Sequence, residues 1–316
     1  MPKYRFPTFN CDRWRGVFAG WVRAKLAVLT TVAALALAGA GSARDLATQP
    51  DLALAYGPDR LEAEIGGHVL RVYTYRPAHC AAPAILIVFH GNGRGAKSYR
   101  DSASVLADRV CLIVFAPLFD KARFSNEAYH RGGIVDDGRI LARTSWTVTR
   151  ADPLVEWARR FEGHSDRVFL FGHSAGGQFL SRVAAYAMPE NVERIVIANP
   201  STYVLPDLTE PAPYGFGGLG AGADEMLRSY LELPLTIYLG DQDVGTKNLT
   251  SNAAAVRQGE NRRDRGWRTL LLAQAAAREQ GVPLGWRLVE VEGVGHTARG
   301  MLRAEEMEQA LGLSLP

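Results

Sequence analysis

Cysteine is scarce in this chain, three among 316 residues, which excludes a small fold stapled by several disulfides. An apolar run long enough for a comfortable membrane span is lacking, as are histidine pairs at H-x-x-x-H spacing, mixed Cys/His clusters, heptads and internal repeats. Those absences argue against a resident metal or a coiled coil, and no cofactor is expected. Charge of one sign is lacking as well. The formal net charge is +3, and residues 1–43 supply it with six Lys/Arg against Asp12 alone. Taking these from the totals of 36 and 33 leaves 30 basic and 32 acidic residues, so a nucleic-acid footprint is not expected.

The basic start has a reading of its own. Positive residues up to Lys25 precede LAVLTTVAALALAGA (26–40), and GSA (41–43) offers small residues for cleavage. Residues 1–43 are expected to be a signal peptide, with an uncleaved N-terminal membrane anchor as the alternative, and 44–316 one domain. Export to the periplasm or medium is then expected, with a membrane as partner only if the leader is retained. Past the leader only Cys80 and Cys111 remain, at or just before predicted strands, as a candidate disulfide.

What is abundant is alternation. LEAEI (61–65), VLRVYTY (69–75), AILIVF (84–89), CLIVFA (111–116), VFLF (168–171), RIVIA (194–198), LTIYL (235–239) and WRLVEV (286–291) predict eight strands. The first two join at Gly66-Gly67 as a hairpin, and the rest alternate with helical patterns at 98–109, 153 onward, 179–188 and 267–280. The expected class is α/β, with a mostly parallel sheet covered on both faces. Asp152 is expected to cap the helix that Pro153 begins. Residues 200–222 hold four prolines and five glycines, a composition that predicts a lid or substrate loop within an irregular insertion of about 200–233. Tyr203, Tyr214 and Phe216 are its candidates for lining an apolar substrate pocket.

HGNGRGAKS (90–98) nearly fits two nucleotide templates. A phosphate loop requires glycine where Ala96 stands before Lys97-Ser98. The dinucleotide pattern, with Gly91, Gly93 and Ala96 and with Asp120 as ribose contact, leaves the chemistry downstream unexplained. That chemistry begins at RVFLFGHSAGGQFL (167–180), where a strand runs into Gly172-His173-Ser174-Ala175-Gly176 and a helix leaves it. A serine hydroxyl needs a base, and the base needs a group that fixes its tautomer. GDQD (240–243) places Asp241 and Asp243 after the seventh strand, and GVGH (293–296) places His296 after the eighth. NRRDRGWR (261–268) reads as a charged helix face or as a reader of a polar substrate group.

With HGNG, GHSAG, GDQD and GVGH at successive strand ends, the chain resembles the α/β-hydrolase superfamily from end to end of the expected domain. Within it the chain is similar to esterases of the polyhydroxyalkanoate depolymerase type, without a long substrate-binding appendage. The resemblance implies Ser174 as nucleophile, His296 as general base and then acid, and Asp243 as the orienting carboxylate, with Asp241 as fallback. It implies an oxyanion hole from the N–H groups of Asn92 and Ala175, with Gly93 as fallback, and His90 as a brace. The implied activity is cleavage of a carboxylic ester, small or polymeric. Peptide cleavage, acyl transfer and a non-catalytic binding module remain open alternatives, as does the oligomeric state.

Overall fold

The computed structural model describes residues 52–161 and 163–313, so the leader expected at 1–43 lies outside the described residues. All eight expected strands are present, as β1 (Gly57–Ile65), β2 (His68–Arg76), β3 (Ala84–Phe89), β4 (Leu112–Pro117), β5 (Val168–His173), β6 (Arg194–Ala198), β7 (Leu235–Gly240) and β8 (Arg287–Val291). They form one sheet in the order β1-β2-β4-β3-β5-β6-β7-β8. β3 through β8 run parallel, and β2 joins β4 antiparallel. Ile65 pairs with His68 across Gly66 and Gly67, both at positive φ, so the hairpin closes through the two-residue turn that glycine permits.

Strand side chains alternate between two cores. Ile85, Ile87 and Phe89 of β3 face one cluster, and Leu86 and Val88 face the other. The first core is covered by α3 (Ala151–Ala158), α4 (Ala175–Tyr186), α5 (Ala223–Glu232) and α7 (Arg262–Gln280), the second by α1 (Ala96–Val110), α8 (Ala298–Arg303) and α9 (Glu306–Leu311). Burial of a side chain such as Phe89, fully enclosed, stabilises the fold by about 2–3 kcal/mol. Two short helices, α2 (Asn126–His130) and α6 (Ala253–Val256), lie in the connections after β4 and β7. No helix among the described residues is long and apolar enough to cross a membrane.

Several expectations need correction. α3 begins at Ala151, with Asp152 inside its first turn rather than capping it. The segment 200–222 does not sit open as a lid: 201–206 and 213–216 are buried. Tyr203 and Phe216 lie in the core at 1% and 0% exposure instead of lining an apolar substrate pocket, whereas Tyr214, at 8%, accepts hydrogen bonds from Arg131 and Asn252 and lines a small pocket with them. The guanidinium of Arg182 explains the anchoring. Fully buried on α4, it donates to the carbonyls of Thr202 and Pro213 and to Thr202 Oγ1, satisfying backbone that irregular structure leaves unpaired. Cys80 and Cys111 stand as free cysteines, not as a disulfide.

Candidate active site

The strand order reverses between β3 and β5, because the chain moves from β3 outward to β4 and later returns to β5 on the other side. Crevices form at such switch points beyond the carboxyl ends of parallel strands. HGNG leaves β3 there, and β5 runs into Ser174 before α4 starts at Ala175. Ser174 sits at φ 58°, ψ −113°, a conformation that costs a non-glycine residue about 1–3 kcal/mol. The two flanking glycines allow that bend. A Cβ on Gly172 would overlap the carbonyl of Gly176, and one on Gly176 would overlap the carbonyl of Phe89. The spacing of G-x-S-x-G is thus a steric requirement of the turn.

Three side chains far apart in sequence meet at this bend. Ser174 Oγ lies 3.0 Å from His296 Nε2, and His296 Nδ1 lies 2.6 Å from Asp243 Oδ2. Asp243 is buried, at 2% exposure, so its charge needs further partners. Arg262, also 2% exposed, supplies one through Nη1 at 3.3 Å from Asp243 Oδ1. The same guanidinium donates to the carbonyls of Gly245 and Lys247, holding the loop that carries Asp243. Asp241 does other work: its Oδ1 accepts the Gly293 N–H at 2.8 Å, tying the end of β7 to the loop after β8.

The arginine-rich stretch 261–268 is therefore solvated on one side only, with two of its arginines turned inward. Arg262 is sealed beside Asp243, and Arg265 is sealed against the carbonyls of Ser201, Thr250 and Gly259. Burial lowers the Arg265 pKa to about 10 and lowers that of Arg262, which the neighbouring carboxylate opposes. Arg263, Trp267 and Arg268 remain surface groups, the first two reaching Glu290. A run of three arginines in four residues carried no signal that two of them point inward.

Across the cleft, HGNG is braced as a loop and does not cradle phosphate. His90 Nε2 accepts the Phe119 N–H at 3.1 Å, which leaves Nδ1–H to donate to Gly91 O at 3.0 Å. Burial drops the His90 pKa to about 4, so the ring stays neutral. Arg94 clamps the loop to the carbonyls of Phe119 and Phe124. Lys97, which a phosphate would need, turns to Asp101 at 2.9 Å. The N–H groups of Asn92 and Ala175 are donors without a partner among the described residues, and both residues line the cleft with Ser174 and His296. Gly93 is not among the lining residues.

His173, between Gly172 and Ser174, packs beneath the site with its ring centroid 4.8 Å from that of His296. Burial first and then the neighbouring His296 hold its pKa well below the ordinary histidine value. Its Nδ1 takes a 3.0 Å hydrogen bond with Tyr99, whose hydroxyl also packs so close to Gly91 that a Cβ there would overlap it, so one phenol links the HGNG loop to the serine turn.

The cleft holds about 340 Å³ and its walls are mostly polar, Glu127, Arg131, Gln178, Ser201, Asn248 and Thr250 among them, with Ala175 and Leu249 as apolar members. A more apolar cavity of about 350 Å³, between α4 and α5, shares no residue with it. The described residues hold no cluster of His, Cys, Asp or Glu able to bind a metal ion.

No protein-family model and no curated protein sequence matches the chain. Solved structures similar over most of its length include two at 30% identity or more. One is a poly(3-hydroxybutyrate) depolymerase from Bordetella parapertussis, 31% identical with a TM-score of 0.75, the match covering 83% of this chain and 92% of that one. The other is poly(aspartic acid) hydrolase-1 from Sphingomonas sp. KT-1, 30% identical with a TM-score of 0.75, covering 82% of this chain and 99% of that one.

Proposed function

Because the chain belongs to the α/β-hydrolase superfamily, we propose that this hydrolase is an exported serine esterase that cleaves a carboxylic ester through an acyl-enzyme. The observation that carries the reading is the pair of contacts at His296, 3.0 Å to the Ser174 hydroxyl and 2.6 Å to the buried carboxylate of Asp243.

The steps follow from those contacts. Asp243 accepts the Nδ1–H of His296, which leaves Nε2 as the lone pair facing Ser174. As Ser174 Oγ attacks the substrate carbonyl carbon, its proton passes to Nε2 and negative charge gathers on the carbonyl oxygen. The N–H groups of Asn92 and Ala175 are free to receive that charge, and each such donor is worth about a hundredfold in rate or more. His296 then returns the proton to the departing alkoxide, leaving the acyl group on Ser174. Water repeats the sequence, with His296 taking its proton, and releases the acid.

Labelling of Ser174 by a fluorophosphonate, with loss of nearly all ester turnover in Ser174→Ala and His296→Ala, is the expected result. A folded protein whose Ser174 does not label would overturn the reading in favour of a binding module. Amide cleavage is a second reading, supported by the likeness to a poly(aspartic acid) hydrolase. A panel of aryl esters beside peptide and poly(aspartate) substrates decides between them. Export rests on the leader alone, and the N-terminal residue of the mature protein tests it.

A further inference from the structure

Gln178 stands one helical turn after Ser174, is 5% exposed, and lines the cleft. Its amide orientation is fixed by a chain of donors that begins at Arg182. A guanidinium only donates, so Arg182 Nη2 at 3.0 Å makes Thr202 Oγ1 an acceptor. The remaining hydroxyl proton of Thr202 goes to Gln178 Oε1 at 2.9 Å. With Oε1 committed to Thr202, the NH2 group is the end of Gln178 left for the cleft. It has no partner among the described residues, yet it is absent from the atoms sealed away from solvent. An almost buried donor, locked in direction and opening on the candidate nucleophile, is arranged to meet an acceptor on a ligand.

From this we propose that Gln178 is a specificity-determining residue whose side-chain amide donates to a second acceptor oxygen on the acyl part of the substrate. The inference rests on Ser174 as the nucleophile. Four residues of helix separate the two Cα atoms by about 6 Å along the axis, a reach that suits an oxygen roughly four bonds from the reacting carbon. The polar walls of the cleft, Asn248 and Thr250 among them, agree with such a substrate, since a plain alkyl chain would find little apolar surface there. The favoured acyl groups are therefore short and carry another carbonyl or a carboxylate.

The test compares 4-nitrophenyl pentanoate with the 4-nitrophenyl esters of monomethyl succinate and of hydrogen succinate, which differ in having no second acceptor, a neutral one and an anionic one. Wild-type protein should favour at least one succinate over pentanoate by about tenfold in kcat/KM, the worth of one neutral hydrogen bond. Gln178→Met, close in volume but without a donor, should erase that ratio mainly through KM. A charged-only preference identifies a carboxylate as the acceptor, and a shared one identifies the carbonyl. Equal losses on all three esters, or no preference in the wild type, would overturn the proposal. Calorimetric binding of succinate and monomethyl succinate to Ser174→Ala, with and without Gln178→Met, reads the same contact without turnover. If no ester is cleaved but binding weakens about tenfold, the esterase reading fails and the donor role of Gln178 stands.

Discussion

Arg262 Nη1 approaches Asp243 Oδ1 at 3.3 Å with both side chains closed off from solvent, while the other carboxylate oxygen is held by His296. The acid that orients the histidine is thus itself oriented, from the first residue of α7. Arg262→Met should destabilise folding by about 3 kcal/mol, because it strands a buried carboxylate. It should also lower ester turnover at least about tenfold. The double variant with Asp243→Asn should lose less stability than the two single losses combined, as urea midpoints would show.

The two aspartates after β7 should separate cleanly. Asp243→Asn removes the acceptor of His296 Nδ1–H and is expected to cost about a thousandfold or more in kcat. Asp241→Asn can still accept the Gly293 N–H through its amide oxygen, so most activity should survive. Steady-state kinetics of the purified variants check both.

Strain at Ser174 gives a test independent of catalysis. Its positive φ suits glycine, so Ser174→Gly should unfold at higher temperature than Ser174→Ala, by the equivalent of about 1 kcal/mol. Equal melting temperatures for the two would contradict the strained turn.

Stability should fall in mild acid for a stated reason. Burial depresses His90 to about 4 and His130 to about 3, and it depresses His173 too, while an unfolded histidine titrates near 6.5. Below about pH 6.5 the unfolded chain binds protons that the folded chain refuses, so stability present above that value is lost as pH falls toward 4. For His90 alone the loss is about 3 kcal/mol across that window. Urea midpoints at pH 7 and pH 5 should differ accordingly, and His130→Gln should narrow the difference.

The free thiols offer a chemical check. Burial and then the neighbouring Cys80 push Cys111 up to about 11. Iodoacetamide at pH 8 should therefore modify Cys111 more slowly than an unperturbed thiol, as mass spectrometry of the timed reaction would record.

Strands were the most legible part of the sequence, because a buried strand such as AILIVF needs only its own composition to declare itself. The four loop motifs were legible because each is bound to a strand end. Tyr203 and Phe216 turn out to pack the core, because a proline- and glycine-rich segment looks open until a partner such as Arg182 is known to pin it. Arg262, Arg265 and Gln178 escaped notice for a related reason. Their roles depend on carbonyls and hydroxyls distant in sequence, which no local pattern announces. His173 packs directly beneath His296, a contact that its place between Gly172 and Ser174 does not announce.

Gln178 and Arg182 stand four residues apart on one face of α4, and Ser174 is joined directly to its first residue. The hydroxyl, the cleft-facing amide and the buried guanidinium are consequently fixed to a single rigid rod, and a small rotation of that rod displaces all three in concert. A change in the buried half of the helix would then reach the reacting end mechanically, without touching any group that a substrate meets.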